Sequence, residues 1–423
     1  MYQNLIIKKL MMLRLLFVFV LLGLWSTNIY SQEKKENPFS IKWDNGFKVT
    51  SEDKNFKLKF GGRIHLDHAY FSQNDDLDAA FGELESNDGT EFRRLRFFFS
   101  GVLYKTVEFK LQMDYAGGAA RLKDAYIGIK NIPIVGRIRV GHMKEPLRFD
   151  ALTSSKYITF MERAIPADLA NERNNGILLM NDFFSNKISV QTGIFRNADG
   201  FGNDKFAARD VAWTSRITTL ALNNIEKKQL LHLGFSYSYR KPDKDEYKIS
   251  VRPKSHLANK YISTGNIEDV KTVNIINFEA AYTQGPFTFQ GEYLGSSVKQ
   301  NGNNLSETYN FSNYYAQVSY FLTGEHRPYK NSYATFGRLK PNKNFMGKGS
   351  GAGAWELALR YSHTDLNSKN IYGGEQGDIS FGTNWYLNSA TRVMFNYVWT
   401  DINQKDVGQG NLNIFEVRFQ IDF

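Results

Sequence analysis

The amino-acid sequence predicts an all-β chain that forms a transmembrane antiparallel β-barrel, and three observations lead to this fold class. The last nine residues, Phe415 to Phe423, alternate strictly between apolar and polar side chains and end on an aromatic ring. A period of two is typical of a strand with one face in an apolar phase and the other in water. Further alternating segments precede it, and the first 31 residues have the composition of an export signal.

The N-terminal residues predict a cleaved secretory signal over residues 1–31. Lys8, Lys9 and Arg14 precede an apolar run from Leu15 to Trp25, and a polar stretch follows and ends near Ser31. The run is shorter than the roughly 20 apolar residues that a spanning helix needs, which favours cleavage over the alternative of a membrane anchor. We therefore expect residues 32–56 to form a short periplasmic N-terminal segment and residues 57–423 to form the barrel.

Composition limits the classes of function. The 423 residues include no cysteine, which excludes disulfides, a thiol nucleophile, Cys-ligated metals and a lipoprotein anchor. The mean hydropathy of −0.43 excludes a helical membrane protein but not a barrel, whose alternating strands average out polar. Net charge is +10, and +7 remains without the three bases of the signal. A basic exported protein meets little nucleic acid, so lipopolysaccharide and small anions are the expected partners.

Alternation and turn residues divide the rest of the chain into sixteen strand-like segments. An even number places both termini in the periplasm, and short periplasmic turns alternate with long external loops, notably 70–91, 143–175 and 241–271. We predict that the first segment pairs with the last and that the lumen is wide enough for an aqueous channel. The segments are Lys57–Ala69, Phe92–Leu103, Val107–Tyr115, Leu122–Lys130, Arg137–His142, Ile177–Phe183, Lys187–Arg196, Val211–Leu220, Leu230–Arg240, Val273–Thr283, Pro286–Val298, Ser312–Leu322, Trp355–Thr364, Asp378–Leu387, Thr391–Thr400 and Leu412–Phe423.

Several motifs along nearly the whole mature chain resemble the phosphate-selective porin O and P family of outer-membrane channels. They include Gly61-Gly62-Arg63-Ile64, Phe92-Arg93-Arg94-Leu95-Arg96, Leu122-Lys123-Asp124-Ala125-Tyr126, Gly141-His142-Met143-Lys144-Glu145-Pro146, Phe160-Met161-Glu162-Arg163 and Trp385-Tyr386-Leu387-Asn388. The resemblance implies a homotrimer of 16-stranded barrels, an external loop folded into the pore, and a permeation path lined by arginine and lysine. The terminal Phe423 is similar to the signal that the barrel-assembly machinery of the Gram-negative outer membrane recognises.

Seven basic residues on the first five strands are the candidate anion pathway. They share the face opposite the apolar, outward-facing Leu95, Phe97 and Phe99. Placing these basic side chains in contact with lipid near the membrane midplane would cost roughly 2–4 kcal/mol each. Arginine is always charged and can donate two parallel hydrogen bonds to two oxygens of a phosphate. In the alternative interpretation, lumenal charges keep the pore wet and arginine–carboxylate pairs brace the wall. The later strands look balanced in this way, with Arg360 beside Glu356 and Arg418 beside Glu416. The seven candidates are Lys59, Arg63, Arg94, Arg96, Lys110, Arg137 and Arg139.

Two connections carry further candidates. The loop 143–175, after the fifth strand, is the predicted constriction loop, but its five bases are matched by five acids, so it selects anions only if the bases face the path. Segment 323–354 has six bases against Glu325 alone. On the periplasmic side it either draws anions onward or docks on peptidoglycan or a partner subunit. The bases are Lys144, Arg148, Lys156, Arg163 and Arg173 in the loop, and Arg327, Lys330, Arg338, Lys340, Lys343 and Lys348 in the segment.

No motif predicts catalysis, a metal or a cofactor. His65 and His68 fall on opposite faces of one strand and cannot chelate one metal. Residues 347–350 lack the spacing of a phosphate-binding loop. The sequence therefore predicts a passive, anion-selective outer-membrane porin for phosphate or polyphosphate-type anions. The alternatives are a non-selective diffusion porin and a surface adhesin on a barrel scaffold, with loop 241–271 as its working part.

Overall fold

The computed structural model describes residues 38–423 except 171, 204–210, 243–245, 303–304 and 348. Residues 41–423 belong to one structural unit, which contains the features discussed below. The signal predicted over residues 1–31 lies outside the described residues. Within those residues, no helix is both long enough and apolar enough to cross a membrane.

Sixteen strands pair antiparallel and close into a barrel, which confirms the predicted fold, strand number and closure. The barrel consists of β3–β11, β14–β16 and β19–β22, and β22 pairs with β3 from Leu412 opposite Gln73 to Asp422 opposite Arg63. In chain order the described strands are β1 (Phe39–Trp43), β2 (Phe47–Ser51), β3 (Phe56–Gln73), β4 (Asp88–Leu103), β5 (Val107–Asp114), β6 (Arg121–Ile132), β7 (Gly136–Lys144), β8 (Arg173–Phe183), β9 (Ile188–Arg196), β10 (Val211–Asn224), β11 (Gln229–Lys241), β12 (Ser250–Val251), β13 (Ile262–Ser263), β14 (Val270–Gln284), β15 (Phe287–Gly302), β16 (Leu305–Phe321), β17 (Tyr329–Lys330), β18 (Thr335–Phe336), β19 (Ala354–Ser368), β20 (Ile371–Tyr386), β21 (Thr391–Gln404) and β22 (Gly408–Asp422).

The alternation of side chains sets the two faces of the wall. On β22 the rings of Phe415 and Phe419 are 55% and 56% exposed on the outside, whereas Glu416 and Arg418 are buried on the lumen side. An apolar outer face and a polar inner face are what a strand between lipid and an aqueous lumen requires. The phase predicted from the C-terminal sequence is the one observed.

The C-terminus lies at the seam of the barrel. Phe423 exchanges backbone hydrogen bonds with Gly62 of β3, with N···O distances of 2.6 and 3.2 Å. A Cβ atom at Gly62 would come within 2.7 Å of the Phe423 ring, so glycine permits this close approach. Below the seam β2 pairs with the first residues of β3, from Phe47 opposite Phe60. Part of the segment predicted over residues 32–56 is thus paired strand.

Three connections fold into the barrel. The external segment 145–172 contains α2 (Phe149–Leu152), which follows α1 (Asp75–Phe81) of the first external loop. The external segment 242–269 contains β12 and β13, and the periplasmic segment 322–353 contains β17 and β18. Ile262 of the second segment packs in one apolar cluster with Leu169 of the first and with the inward-facing Leu412 of β22. The lumen, predicted as wide and wet, is therefore partly filled by protein.

Candidate functional site

The seven candidate pathway bases lie on the inner face of β3–β7, and most of them are ion-paired. Arg96 Nε lies 2.7 Å from an Asp114 oxygen, and Lys110 Nζ lies 2.5 Å from Asp124. Glu108 accepts from Arg139 at 2.7 Å.

The remaining pairs on this wall are longer. The guanidinium of Arg137 lies 3.6 Å from Glu108, and that of Arg94 lies 3.8 Å from Glu162. Five of the seven candidates thus have a carboxylate partner, which is the arrangement that the bracing interpretation predicted.

Arg63 and Lys59 are the exceptions among the seven. The Arg63 side chain is 7% exposed, and its Nη1 donates to Ser155 Oγ at 2.7 Å and to Ser154 Oγ at 3.3 Å. Its Nε has no hydrogen-bond partner among the described residues, and no described carboxylate lies within 4.0 Å of it. Among the described residues, Lys59 Nζ donates to the carbonyl oxygen of Asp44, at 3.2 Å. A buried cation without a counter-ion is costly, so Arg63 is the strongest candidate for contact with a mobile anion.

Segment 145–172 crosses the lumen and is anchored on the far wall. Arginines of β19, β21 and β22 donate to backbone carbonyls of this segment. These bonds are Arg360 to Glu162 O at 2.8 Å, Arg392 to Ile158 O at 2.8 Å and Arg418 to Met161 O at 2.7 Å. The segment therefore has a fixed path inside the barrel.

The five predicted loop bases divide into two groups. Arg148 is buried and donates to the carbonyl oxygens of Ile165 at 3.0 Å and Ala170 at 2.9 Å, so it holds the segment's own backbone. The other four line the cavity described below, and each has a partner in the segment or on the barrel wall. Lys144 donates to Ala151 O, Lys156 Nζ lies 3.2 Å from Asp422, Arg163 lies 3.1 Å from Glu172, and Arg173 lies 2.9 Å from Asp124.

Shifts in pKa fix the charge of two loop residues, Lys156 and Glu162. Burial lowers the pKa of Lys156 to about 7, with Asp422 opposing the shift. For Glu162, burial acts to raise the pKa, but Arg93 and Arg94 outweigh it and hold the pKa well below the usual range. Lys156 therefore titrates near neutral pH, whereas Glu162 stays ionised.

The periplasmic segment 322–353 also enters the barrel. Arg327 pairs with Glu356 and donates to Tyr157 O of the crossing segment at 3.1 Å, and Arg338 pairs with Asp422. Lys330 lies over the Tyr333 ring at 5.0 Å. Lys340 and Lys343 are exposed, and Lys348 lies outside the described residues. Two of the six predicted bases are therefore structural ion-pair partners.

A cavity of about 860 Å³ lies between the wall formed by β3–β9 and these two inward segments. Thirteen basic side chains line it against three acidic ones, Glu108, Asp124 and Glu172. The lining includes nine of the twelve bases predicted for the anion pathway and the constriction loop, all except Arg94, Arg137 and Arg148. Of the six bases predicted in the periplasmic segment it includes Lys330. The bases are Lys48, Lys54, Lys57, Lys59, Arg63, Arg96, Lys110, Arg139, Lys144, Lys156, Arg163, Arg173 and Lys330.

Some residues of the site are not among those that the sequence predicted. Arg93 donates to Glu162 at 2.8 and 2.9 Å because a bulge between β3 and β4 turns it inward, and strict alternation would turn it outward. Lys48 and Lys54 precede the first predicted strand, so the alternation pattern gave no signal for them. Lys57 shares the phase of Lys59 and could have been found.

The fold and the lumen define a class of protein. A closed sixteen-stranded barrel, apolar outside and polar inside, is an outer-membrane porin, a channel and not an enzyme. The sequence model of the family described as phosphate-selective porin O and P matches residues 58–423. The chain therefore belongs to this family, as its motifs indicated.

Relatives and solved structures agree with this assignment. The chain is 26% identical to Porin O of Pseudomonas aeruginosa over 433 aligned positions, which cover 90% of this chain and 92% of that protein. An anion-selective porin from Comamonas acidovorans has a TM-score of 0.54 at 14% identity, covering 87% of this chain and 100% of the other. OmpT of Vibrio cholerae, solved in a trimer form, has a TM-score of 0.55 at 11% identity, with 87% and 99% covered. The two structures support the fold alone.

Proposed function

We propose that this porin is a passive channel selective for anions of the phosphate type, and that the basic cavity is part of its permeation path. The observation that carries the proposal is the excess of thirteen basic over three acidic side chains around one cavity. Near a surface, unit charges 4 Å apart interact by about 4 kcal/mol, so an excess of this size concentrates anions and repels cations. The family supports the same conclusion.

Within the cavity, Arg63 and its neighbours are the proposed contact points. Arg63, Lys59 and Lys330 have no described carboxylate within ion-pair distance, so their charge is available to a passing anion. Weak contacts at several such points replace part of an anion's hydration and still release it. The paired Arg96, Lys110 and Arg139 add dipoles to the wall, and they keep the fold in place.

Segment 145–172 is the proposed constriction. Its backbone is anchored to the far wall by three arginines, and its Lys156 and Arg163 face the cavity, as does Lys144 at the end of β7. The predicted loop 143–175 is neutral overall, but four of its five bases line the cavity against only one of its five acids, Glu172, which supports this proposal.

Assembly and location complete the proposal. We propose a homotrimer that contacts outer-membrane lipid and lipopolysaccharide after removal of the signal, and that is inserted by the barrel-assembly machinery through the strand ending in Phe423. The alternating outer face of β22 supports the last point. The external segment 242–269 packs inward through Ile249, Val251 and Ile262, which argues against a role as an exposed adhesin loop.

Reversal potential in a salt gradient tests the function. The full-length channel is reconstituted in planar bilayers with a tenfold KCl gradient, and an anion-over-cation preference is expected. Arg63→Gln should lower the permeability ratio about threefold, because it removes a charge that has no counter-ion. Lys105→Gln is the matched control, since it removes one charge from an exposed periplasmic turn.

The other outcomes discriminate between functions. A preference for cations overturns the proposal. A reversal potential near zero indicates a non-selective diffusion porin, and insertion without conductance indicates a scaffold. Equal effects of the two substitutions would mean that net charge, and not the cavity, sets the selectivity.

A further inference from the structure

We propose that the cavity takes phosphate-type anions that carry an aromatic ring, such as aryl phosphate monoesters, in preference to anions of the same charge without one. This inference rests on the proposed anion-channel function and goes beyond it by naming the substrate class. It is drawn from the side chains that line the cavity and carry no charge.

The aromatic side chains of the cavity lie next to its bases. Phe98 of β4 faces the lumen, and the Nζ atoms of Lys110 and Lys156 each lie 5.9 Å from the centre of its ring. A ring bound against Phe98 would therefore lie beside Lys110 and Lys156, which are paired with Asp124 and Asp422, in the cavity that the unpaired Arg63 also lines. Two aromatic rings favour offset-stacked or edge-to-face contacts, with their centres about 4.5–7 Å apart.

A second aromatic group lies across the cavity. The guanidinium of Arg139 lies 4.6 Å from the Tyr126 ring and 5.1 Å from the Tyr333 ring. Tyr333 belongs to the periplasmic segment, so wall and segment together form this group. Cation–π contacts of this kind hold both rings in fixed orientations.

Apolar side chains extend the aromatic side of the cavity. Leu178 and Met180 of β8 and Met143 of β7 belong to one buried apolar cluster and also line the cavity. Such side chains do nothing to replace the hydration of a bare inorganic ion. They do favour an apolar body attached to the ion, since its surface leaves water on binding.

The size of the cavity fits the same ligand. Its volume of about 860 Å³ lies within the roughly 300–1,000 Å³ that small-molecule sites occupy. Arg63 is buried beside Ser154 and Ser155 with an unpartnered Nε, so it offers a point for the phosphate. The site thus has a basic part for the anion and an aromatic part for its substituent.

Current block by two probes tests the inference. Phenyl phosphate and methyl phosphate are added to the full-length channel in planar bilayers while chloride carries the current, at a pH well above their second pKa values, where both are dianions. The concentration of phenyl phosphate that halves the current should be about fivefold lower than that of methyl phosphate, a ratio typical of one good ring contact. The ratio is measured within each variant, so changes in conductance cancel.

Two adjacent phenylalanines provide the variant and its control. Phe98→Leu should reduce the ratio to near one, whereas Phe99→Leu, which alters the neighbouring outward-facing ring stacked on Phe60, should keep it. Equal half-blocking concentrations in the wild type overturn the inference, as does a ratio that persists in Phe98→Leu. If the wild type prefers anions and both probes block it at equal concentrations, this inference is wrong but the proposed function stands. If the wild type prefers cations, the proposed function itself is wrong.

Discussion

Arg63 and Arg418 lie on the paired strands β3 and β22, and both point into the lumen, but their surroundings are opposite. Arg418 is fully buried and forms ion pairs with Asp67 at 2.6 Å and with Glu162 at 3.1 Å. Arg63 has two serine hydroxyls and an unpartnered Nε. The same residue type is thus a structural tie at one position and an uncompensated charge at the other.

The difference extends to the two walls of the barrel. On β19–β22, Arg360, Arg392 and Arg418 hold the backbone of the crossing segment. The wall formed by β3–β9 faces the cavity with a large basic excess. The bracing and pathway hypotheses therefore apply to different regions of one lumen. A count of lumenal arginines cannot separate them, whereas the partner of each arginine can.

The largest effect expected from this comparison is on stability. Arg418→Gln should lower the free energy of unfolding by about 3–5 kcal/mol, because it leaves the buried Asp67 carboxylate without its ion-pair partner and removes one of the arginines around Glu162. Denaturant unfolding of the barrel in detergent micelles, followed by circular dichroism, measures it. The permeability ratio should change little, since Arg418 does not line the cavity.

Arg137→Gln is the control for this prediction. The Arg137 side chain is 25% exposed and lies 3.6 Å from Glu108, so its removal should cost below about 1 kcal/mol. An Arg418→Gln protein as stable as the wild type would contradict the role of Arg418 as a tie.

A smaller effect separates paired from unpaired bases around the cavity. Arg96 lies opposite Arg63 on the adjacent strand and is paired with Asp114. The double variant Arg96→Gln/Asp114→Asn removes the pair without changing net charge, so the permeability ratio should stay within about 1.5-fold of wild type. Arg63→Gln alone should lower that ratio about threefold.

Stability provides the second readout for this pair of positions. The single variant Arg96→Gln should be less stable than the double variant, because it leaves Asp114 buried without its partner. Arg63→Gln should cost little stability. If the double variant loses as much selectivity as Arg63→Gln, paired bases also contribute and the comparison breaks down.

Much of the fold could be predicted from sequence because the membrane imposes a simple rule. Lipid outside and water inside force a period of two, so strand number, closure and the inward phase of Arg63, Arg94 and Arg96 follow from the pattern. The bulge at Arg93 breaks the period and was not predictable. Bulges depend on the packing of neighbouring strands, which cannot be predicted from the alternation of apolar and polar residues along one strand.

The filling of the lumen could not be predicted for a related reason. Segments 242–269 and 322–353 look like polar loops, and their inward position depends on a few buried groups, such as Ile262 in the apolar cluster that includes Leu412, and Arg327 paired with Glu356. These partners are far apart in sequence. Which arginines are paired depends on the same distant contacts. The sequence therefore predicts that Arg63 and Arg418 both face the lumen, but not that one is paired and the other is not.

The smallest effect expected is a dependence on pH through Lys156. Burial lowers the pKa of Lys156 to about 7 from its ordinary value of 10.5, so roughly nine-tenths of the side chains are charged at pH 6 and one-tenth at pH 8. Lys156 lines the cavity, and the anion preference should therefore fall about twofold between these pH values. The Tyr333 phenol, whose pKa is lowered to about 8 because Arg139, Lys110 and Lys330 outweigh its burial, adds negative charge in the same direction.

Lys156→Gln separates the two groups. The variant should lose the part of the pH dependence that has its midpoint near 7 and keep any part with a midpoint near 8. Lys156 also makes stability depend on pH. The unfolded chain binds the proton more tightly than the folded one, so the wild type should gain stability relative to the variant as pH rises from about 7 towards 10.5. A permeability ratio whose pH profile is the same in both proteins would show that Lys156 does not face the permeant ions, and would move the proposed path away from the crossing segment.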